Sequence, residues 1–140
     1  MALGLFGGTR SLGVGFTGTQ DGVSQARLRN LRLELTRLRA VGYTVFIHGG
    51  CIGADAQAAR IAKSLGYKTH CYPGTAGYKR ADTEDDYVAQ IKPFLDRNRN
   101  IVNASTIMIA MPRTQEEELR SGTWAAVRYA RKVGKEPIFL

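Results

Sequence analysis

At 140 residues, with 44% hydrophobic and 23% charged side chains, the chain has the size and composition of one globular domain with a substantial core. No apolar run approaches the roughly 20 residues that a membrane span needs, which excludes an integral helical membrane protein. The formal net charge of +8 favours anionic ligands over cationic ones, but Arg27, Arg29, Arg32, Arg37 and Arg39 sit between Leu28, Leu31, Leu35 and Leu38 as on a solvated helix face, so nucleic acid is not the expected partner.

Residues 1–12 open with Met1-Ala2-Leu3-Gly4-Leu5-Phe6-Gly7-Gly8, apolar but broken by glycine and with no basic residue ahead. They lack the layout of a secretory signal and read as a loose arm before a single domain over 13–140. Val14 to Thr17 is the first expected strand, followed by a loop over Gly18-Thr19-Gln20-Asp21-Gly22. Ser24 is placed to cap a helix that runs to about Val41, where Gly42 stops it. Tyr43-Thr44-Val45-Phe46-Ile47 has the β-branched and aromatic composition of a buried strand. Ala54 to Leu65, apolar at Ala58, Ile61, Ala62 and Leu65, has helical spacing. Lys68 to Tyr72 alternates into a third strand closed by Pro73-Gly74, and Thr75 to Asp86 is a polar excursion over the surface.

Tyr87 to Asp96 reads as helical, with Pro93 bending or restarting it, and leads into the donor cluster Arg97-Asn98-Arg99-Asn100. Thr106 to Met111 is the most apolar run and the expected centre of the sheet. A charged loop with Glu116, Glu117 and Glu118 follows, then Arg120-Ser121-Gly122-Thr123-Trp124 opens a helix ended by Gly134, and Pro137 to Leu140 supplies a last strand. This alternation predicts an α/β fold: a single Rossmann-like, three-layer domain with a mainly parallel sheet of about five strands.

In such a sheet, ligands sit beyond the carboxyl ends of the strands, where strand order reverses. Gly49-Gly50-Cys51-Ile52-Gly53 leaves a strand and opens a helix, which presents backbone N–H groups and the positive end of a helix dipole to one small volume suited to phosphate. The spacing is neither the dinucleotide nor the ATP-binding glycine signature. Ser121-Gly122-Thr123 opens a second helix in the same manner, and Gly18, Thr19 and Gln20 should reach the same crevice. The expected ligand-binding set is therefore Gly18, Thr19, Gln20, Gly49, Gly50, Cys51, Gly53, Asp55, Arg97, Arg99, Ser121, Gly122, Thr123 and Trp124. Asp55 has a plain dipole-complementing role open to it, and Trp124 an ordinary core role. Cys51 and Cys71 form no C-x-x-C, which fits a reducing cytoplasm. His48 with Cys51 and His70 with Cys71 do not have the short paired spacing of structural zinc ligands, and neither a metal nor a cofactor is expected.

Four segments together resemble the YspA/YpsA-related branch of the SLOG superfamily, whose members are often carried by phages and mobile elements: Gly15 to Thr19, His48 to Gln57, Arg97 to Val102, and Arg120 to Ala130. The likeness spans roughly residues 13 to 140. It implies a Rossmann-like domain that binds nucleotides or nucleotide-derived signals and commonly forms homodimers or higher homo-oligomers, with Tyr87, Phe94 and Leu95 available for an interface. More distantly, the chain is similar to the cytokinin-activating phosphoribohydrolases, whose signature P-G-G-x-G-T-x-x-E carries a catalytic glutamate. Gly122-Thr123 matches the G-T, and Arg97 or Arg99 the family's upstream arginine, but Ala126 stands where the glutamate belongs. N-glycosidic cleavage needs a positioned carboxylate. The resemblance with this departure implies non-catalytic sensing or sequestration of a nucleotide or ADP-ribose-derived signal, as in phage counter-defence. The alternative is a phosphoribohydrolase or N-glycosidase with a non-standard carboxylate, Asp55 or Asp21.

Overall fold

The computed structural model describes residues 11–140. Residues 1–10 of the expected arm lie outside the described residues, and Leu12 already belongs to the first strand. The chain runs β1 (Leu12–Gly18), α1 (Gln25–Ala40), β2 (Tyr43–His48), α2 (Ala54–Ser64), β3 (Lys68–Cys71), a 3₁₀ turn (Gly77–Lys79), β4 (Tyr87–Val88), α3 (Phe94–Ala104), β5 (Ile107–Met111), α4 (Gly122–Lys132) and β6 (Ile138–Phe139). All six strands form one sheet in the order β4-β3-β2-β1-β5-β6, and every neighbouring pair is parallel.

Strand alternation sorts the apolar side chains onto two faces. Val14, Phe16, Phe46, Ile109 and Met111 pack with Leu28, Leu31 and Leu35 of α1 and with the alanines of α2. Val45, Ile47 and Met108 pack against Ile101 and Val102 of α3 on the other face, while Ala110 meets Trp124 and Val127 of α4. Small residues set the spacing: a Cβ on Gly15 would stand 2.1 Å from Ser105 Oγ and 2.3 Å from Met108 Sδ, so only glycine lets the end of α3 close on β1. Ser24 caps α1 by accepting a hydrogen bond from the Arg27 amide (3.3 Å).

Among the described residues the sheet has six strands rather than about five, and the extra one falls where a helix is predicted. The apolar positions 87, 88, 91, 94 and 95 imitate helical spacing, yet Tyr87–Val88 pairs with β3, and the amides of Ala89 and Lys92 continue along that edge to Cys71 O (2.8 Å) and Pro73 O (3.2 Å). Pro93, with no N–H to give, then starts α3. The apolar run expected at the centre is interior but off-centre: β5 lies between β1 and the two-residue β6, and β2 and β1 hold the middle.

Candidate functional site

Strand order reverses between β1 and β5, and a cavity of about 520 Å³ opens beyond their carboxyl ends, within the ~300–1,000 Å³ usual for small-molecule sites. The β1–α1 loop brings Gly18, Thr19, Gln20 and Asp21, the β2–α2 turn Gly49, Cys51 and Asp55, the 3₁₀ turn Lys79, and α3 Phe94, Arg97 and Asn98. The β5–α4 loop closes it with Arg113, Glu118, Arg120 and Ser121, and the first turn of α4 with Gly122 and Thr123. Both glycine-bearing helix starts thus face one space. Of the expected residues, Gly50, Gly53, Arg99 and Trp124 do not line it.

Five backbone amides of the β2–α2 turn are already engaged. Gly49 N and Cys51 N both donate to Asp55 Oδ2 (3.2 Å each), Gly50 N donates to His48 Nδ1 (2.9 Å), Ile52 N to Lys79 O (2.8 Å) and Ala54 N to Thr19 O (2.9 Å). The Asp55 carboxylate, in the first turn of α2, occupies the place where the glycine pattern predicts a bound anion. Gly50, at φ +68°, and Gly53, at φ +85°, serve the turn itself. A Cβ on Gly53 would lie 2.3 Å from Gln20 O, so that glycine seats the turn against the β1–α1 loop.

Asp55 is 5% exposed, and its second oxygen, Oδ1, receives no hydrogen bond from any described residue. Burial pushes its carboxyl above the usual range, opposed by the neighbouring His48 and Arg97 and by the two amides. Burial, reinforced by Asp55, likewise raises the Cys51 thiol, which Arg97 partly offsets. The Arg97 guanidinium is 7% exposed as a residue and largely spent on fixed partners: Gly49 O (2.8 Å), Tyr72 O (3.3 Å), Cys51 Sγ (3.3 Å) and Asn98 Oδ1 (2.9 Å). It contributes field more than free donors. Gly49 makes room for it, since a Cβ there would lie 2.2 Å from Nη1. Arg99 points elsewhere, over the Tyr129 ring at 5.5 Å, in a hollow between α3 and α4.

At the start of α4 Ser121 Oγ accepts from Trp124 N (3.2 Å), and the amides of Gly122 and Thr123 donate to no described residue; at the start of α2 the amides of Asp55 and Ala56 are likewise open, but there the Asp55 carboxylate stands beside them. The Gly122 and Thr123 amides are open backbone donors at the cavity, an arrangement suited to an anion. Trp124 packs on Phe139 with ring centroids 5.6 Å apart, a core position, and its Nε1 is buried without a partner among the described residues. Ala126 is buried inside α4 and does not line the cavity.

Beside the turn lies a second polar cluster. His48 Nε2 meets Asp85 Oδ1 at 2.6 Å, Thr83 donates to the other Asp85 oxygen, and the ligand atoms of His48, Cys71 and Asp85 lie within 4.8 Å of one another. The structure therefore groups His48 with Cys71 rather than Cys51. Both ring nitrogens of His48 are engaged, and burial together with Asp85 pushes the Cys71 thiol up to about 12, so the cluster is a hydrogen-bonded brace in this form. It ties the polar excursion to the end of β2 and so sets Lys79 at the cavity wall. Lys79, Phe94, Asn98, Arg113 and Arg120 were not in the expected set. Arg120 and Asn98 adjoin expected residues in sequence, whereas Lys79 carries no local signal.

No family model matches the chain, and a search of curated proteins finds no significant match. Solved structures do. The molybdenum cofactor binding protein of the phototrophic bacterium Rippkaea orientalis is 23% identical with a TM-score of 0.69, over 94% of this chain and 77% of that one. The molybdenum cofactor carrier protein of Chlamydomonas reinhardtii is 21% identical with a TM-score of 0.66, over 93% and 76%. The structural-genomics target TM1055 is 18% identical with a TM-score of 0.65, over 89% and 71%. At these identities the likeness is one of fold: this chain shares their Rossmann-like architecture.

Proposed function

We propose that this protein binds an anionic, nucleotide-like small molecule and holds it without turning it over. The observation that carries this reading is the single cavity at the switch point, where the unpartnered amides of Gly122 and Thr123 and the cations Lys79, Arg97, Arg113 and Arg120 share one space. The ligand class is a nucleotide or ADP-ribose-derived signal, with phosphate on the α4 start and hydroxyl donors from Thr19, Ser121 and Thr123. Possession without chemistry is also what the word carrier describes for the Chlamydomonas protein. Sequestration of a signalling nucleotide by a cytoplasmic, phage-borne member of the SLOG superfamily is the biological use that the sequence resemblance suggests. In a homo-oligomer the exposed Tyr87 and Leu95 would supply interface surface, whereas Phe94 is turned to the cavity.

One observation favours a second reading, hydrolysis of an N-glycosidic bond: Asp55 is a buried carboxyl on the cavity wall, a carboxylate of the kind Ala126 does not provide. One experiment separates the two. Titration calorimetry against nucleoside monophosphates, ADP-ribose, cyclic ADP-ribose isomers and the molybdenum cofactor is expected to show binding, and chromatography of the mixtures to return the ligand intact. Released free base would favour the hydrolase, and absence of heat from every ligand would overturn the binding reading.

A further inference from the structure

Asp55 divides its carboxylate between two tasks. An ionised carboxylate offers about four lone-pair positions, two on each oxygen. The amides of Gly49 and Cys51 fill both positions on Oδ2, while Oδ1 takes nothing from any described residue although the side chain is buried on the cavity wall. Oδ1 is nevertheless open to the cavity rather than sealed from it, so donors on a ligand can take the place of water there. It also repels a phosphate, so the anionic part of a ligand belongs at the opposite helix start, where the donors of Gly122 and Thr123 are open.

We infer that Asp55 is the specificity-determining residue of the cavity: Oδ1 accepts hydrogen bonds from two adjacent uncharged donors on the head of the ligand, whose phosphate lies on the α4 start. This rests on the binding reading above and adds an orientation and a chemistry to it. Two kinds of head present such a pair: the lactam and amine N–H groups of a guanine-type edge, and the vicinal hydroxyls of a ribose. The amides on Oδ2 fix the carboxylate so that Oδ1 is held ready for donors of either kind.

The test compares wild type with Asp55→Asn, whose amide oxygen still accepts from Gly49 and Cys51 but whose NH₂ turns the free position from acceptor to donor. Probes are guanosine monophosphate, its 2′,3′-dideoxy analogue, adenosine monophosphate and inorganic pyrophosphate. The variant should lose at least tenfold in affinity for guanosine monophosphate and keep or gain affinity for pyrophosphate, which has no donor head. A parallel loss for the dideoxy analogue assigns the guanine edge, and a parallel loss for adenosine monophosphate with the dideoxy analogue unaffected assigns the ribose. Equal changes for guanosine monophosphate and pyrophosphate, or none for either, would overturn the assignment. So would failure of wild type to bind guanosine monophosphate while another nucleotide binds, which leaves the binding reading intact; no nucleotide binding at all takes both down. Thermal melting controls for folding. A carboxyl whose value is raised on folding opposes folding once ionised, and does so increasingly as pH rises from its ordinary value through its raised one, so at neutral pH the variant should melt no lower than wild type.

Discussion

The carboxylates of Asp55 and Asp85, both covered by neighbouring groups, behave oppositely because of what surrounds each oxygen. Burial alone would raise Asp85, but the hydrogen bonds it accepts from His48 Nε2 and Thr83 outweigh it and hold the carboxyl at about 2. A carboxyl depressed in the folded state stabilises fully above its unfolded value near 3.8 and loses that contribution as pH falls through about 2. Discounted for solvent screening, the difference corresponds to at most about 2 kcal/mol. Melting followed by circular dichroism should therefore show stability falling between about pH 4 and pH 2, and Asp85→Asn should flatten that dependence while lowering stability at pH 7. An unchanged acid profile in the variant would mean that the His48 contact contributes nothing. Neither role was legible in the sequence: Asp55 at a helix start has an ordinary dipole explanation, and His48 and Asp85 are 37 residues apart.

Elements and their junctions were legible where local chemistry governs them. The Ser24 cap, the glycine after α1 and the apolar runs of β2 and β5 identify those elements at about their observed positions. The strand β4 was hidden because its pattern of apolar residues suits a helix and only the long-range ladder with β3 decides otherwise. The β2–α2 turn was legible as a turn, but the destination of its amides depends on side chains brought in by folding. Gly53 is the point where this matters for stability, since it joins two loops at once: positive φ, a Cβ position against Gln20 O, and the Ala54 amide on Thr19 O. Gly53→Ala should cost roughly 2–4 kcal/mol in urea unfolding, more than propensity alone, because the backbone it meets has no rotamer to give. A loss below about 1 kcal/mol, within the range of propensity effects, would show that the two loops are not clamped together there.

Across the whole molecule the charge is +8, and the cavity wall carries Lys79, Arg97, Arg113 and Arg120 against Asp21, Asp55 and Glu118. Arg113 is drawn toward Glu118 and Asp21, so the rim is not uniformly positive, and the global excess does the long-range attraction. The association rate of a nucleotide monophosphate should fall several-fold between about 0.02 and 0.3 M salt while its dissociation rate changes little, as stopped-flow fluorescence would report. A salt-independent association rate would show that this field plays no part in capture.

The reversal of strand order between β1 and β5 has one more consequence. Much of the cavity wall comes from segments that leave the sheet at one end, whereas the packed side chains of both faces lie behind them. The peptide between Met111 and Ser121 stands apart from both packed faces, so exchanging it for other sequences offers a route to reshaping one wall for new cargo on an unaltered chassis, whereas Asp55, which also braces its own turn, has to stay.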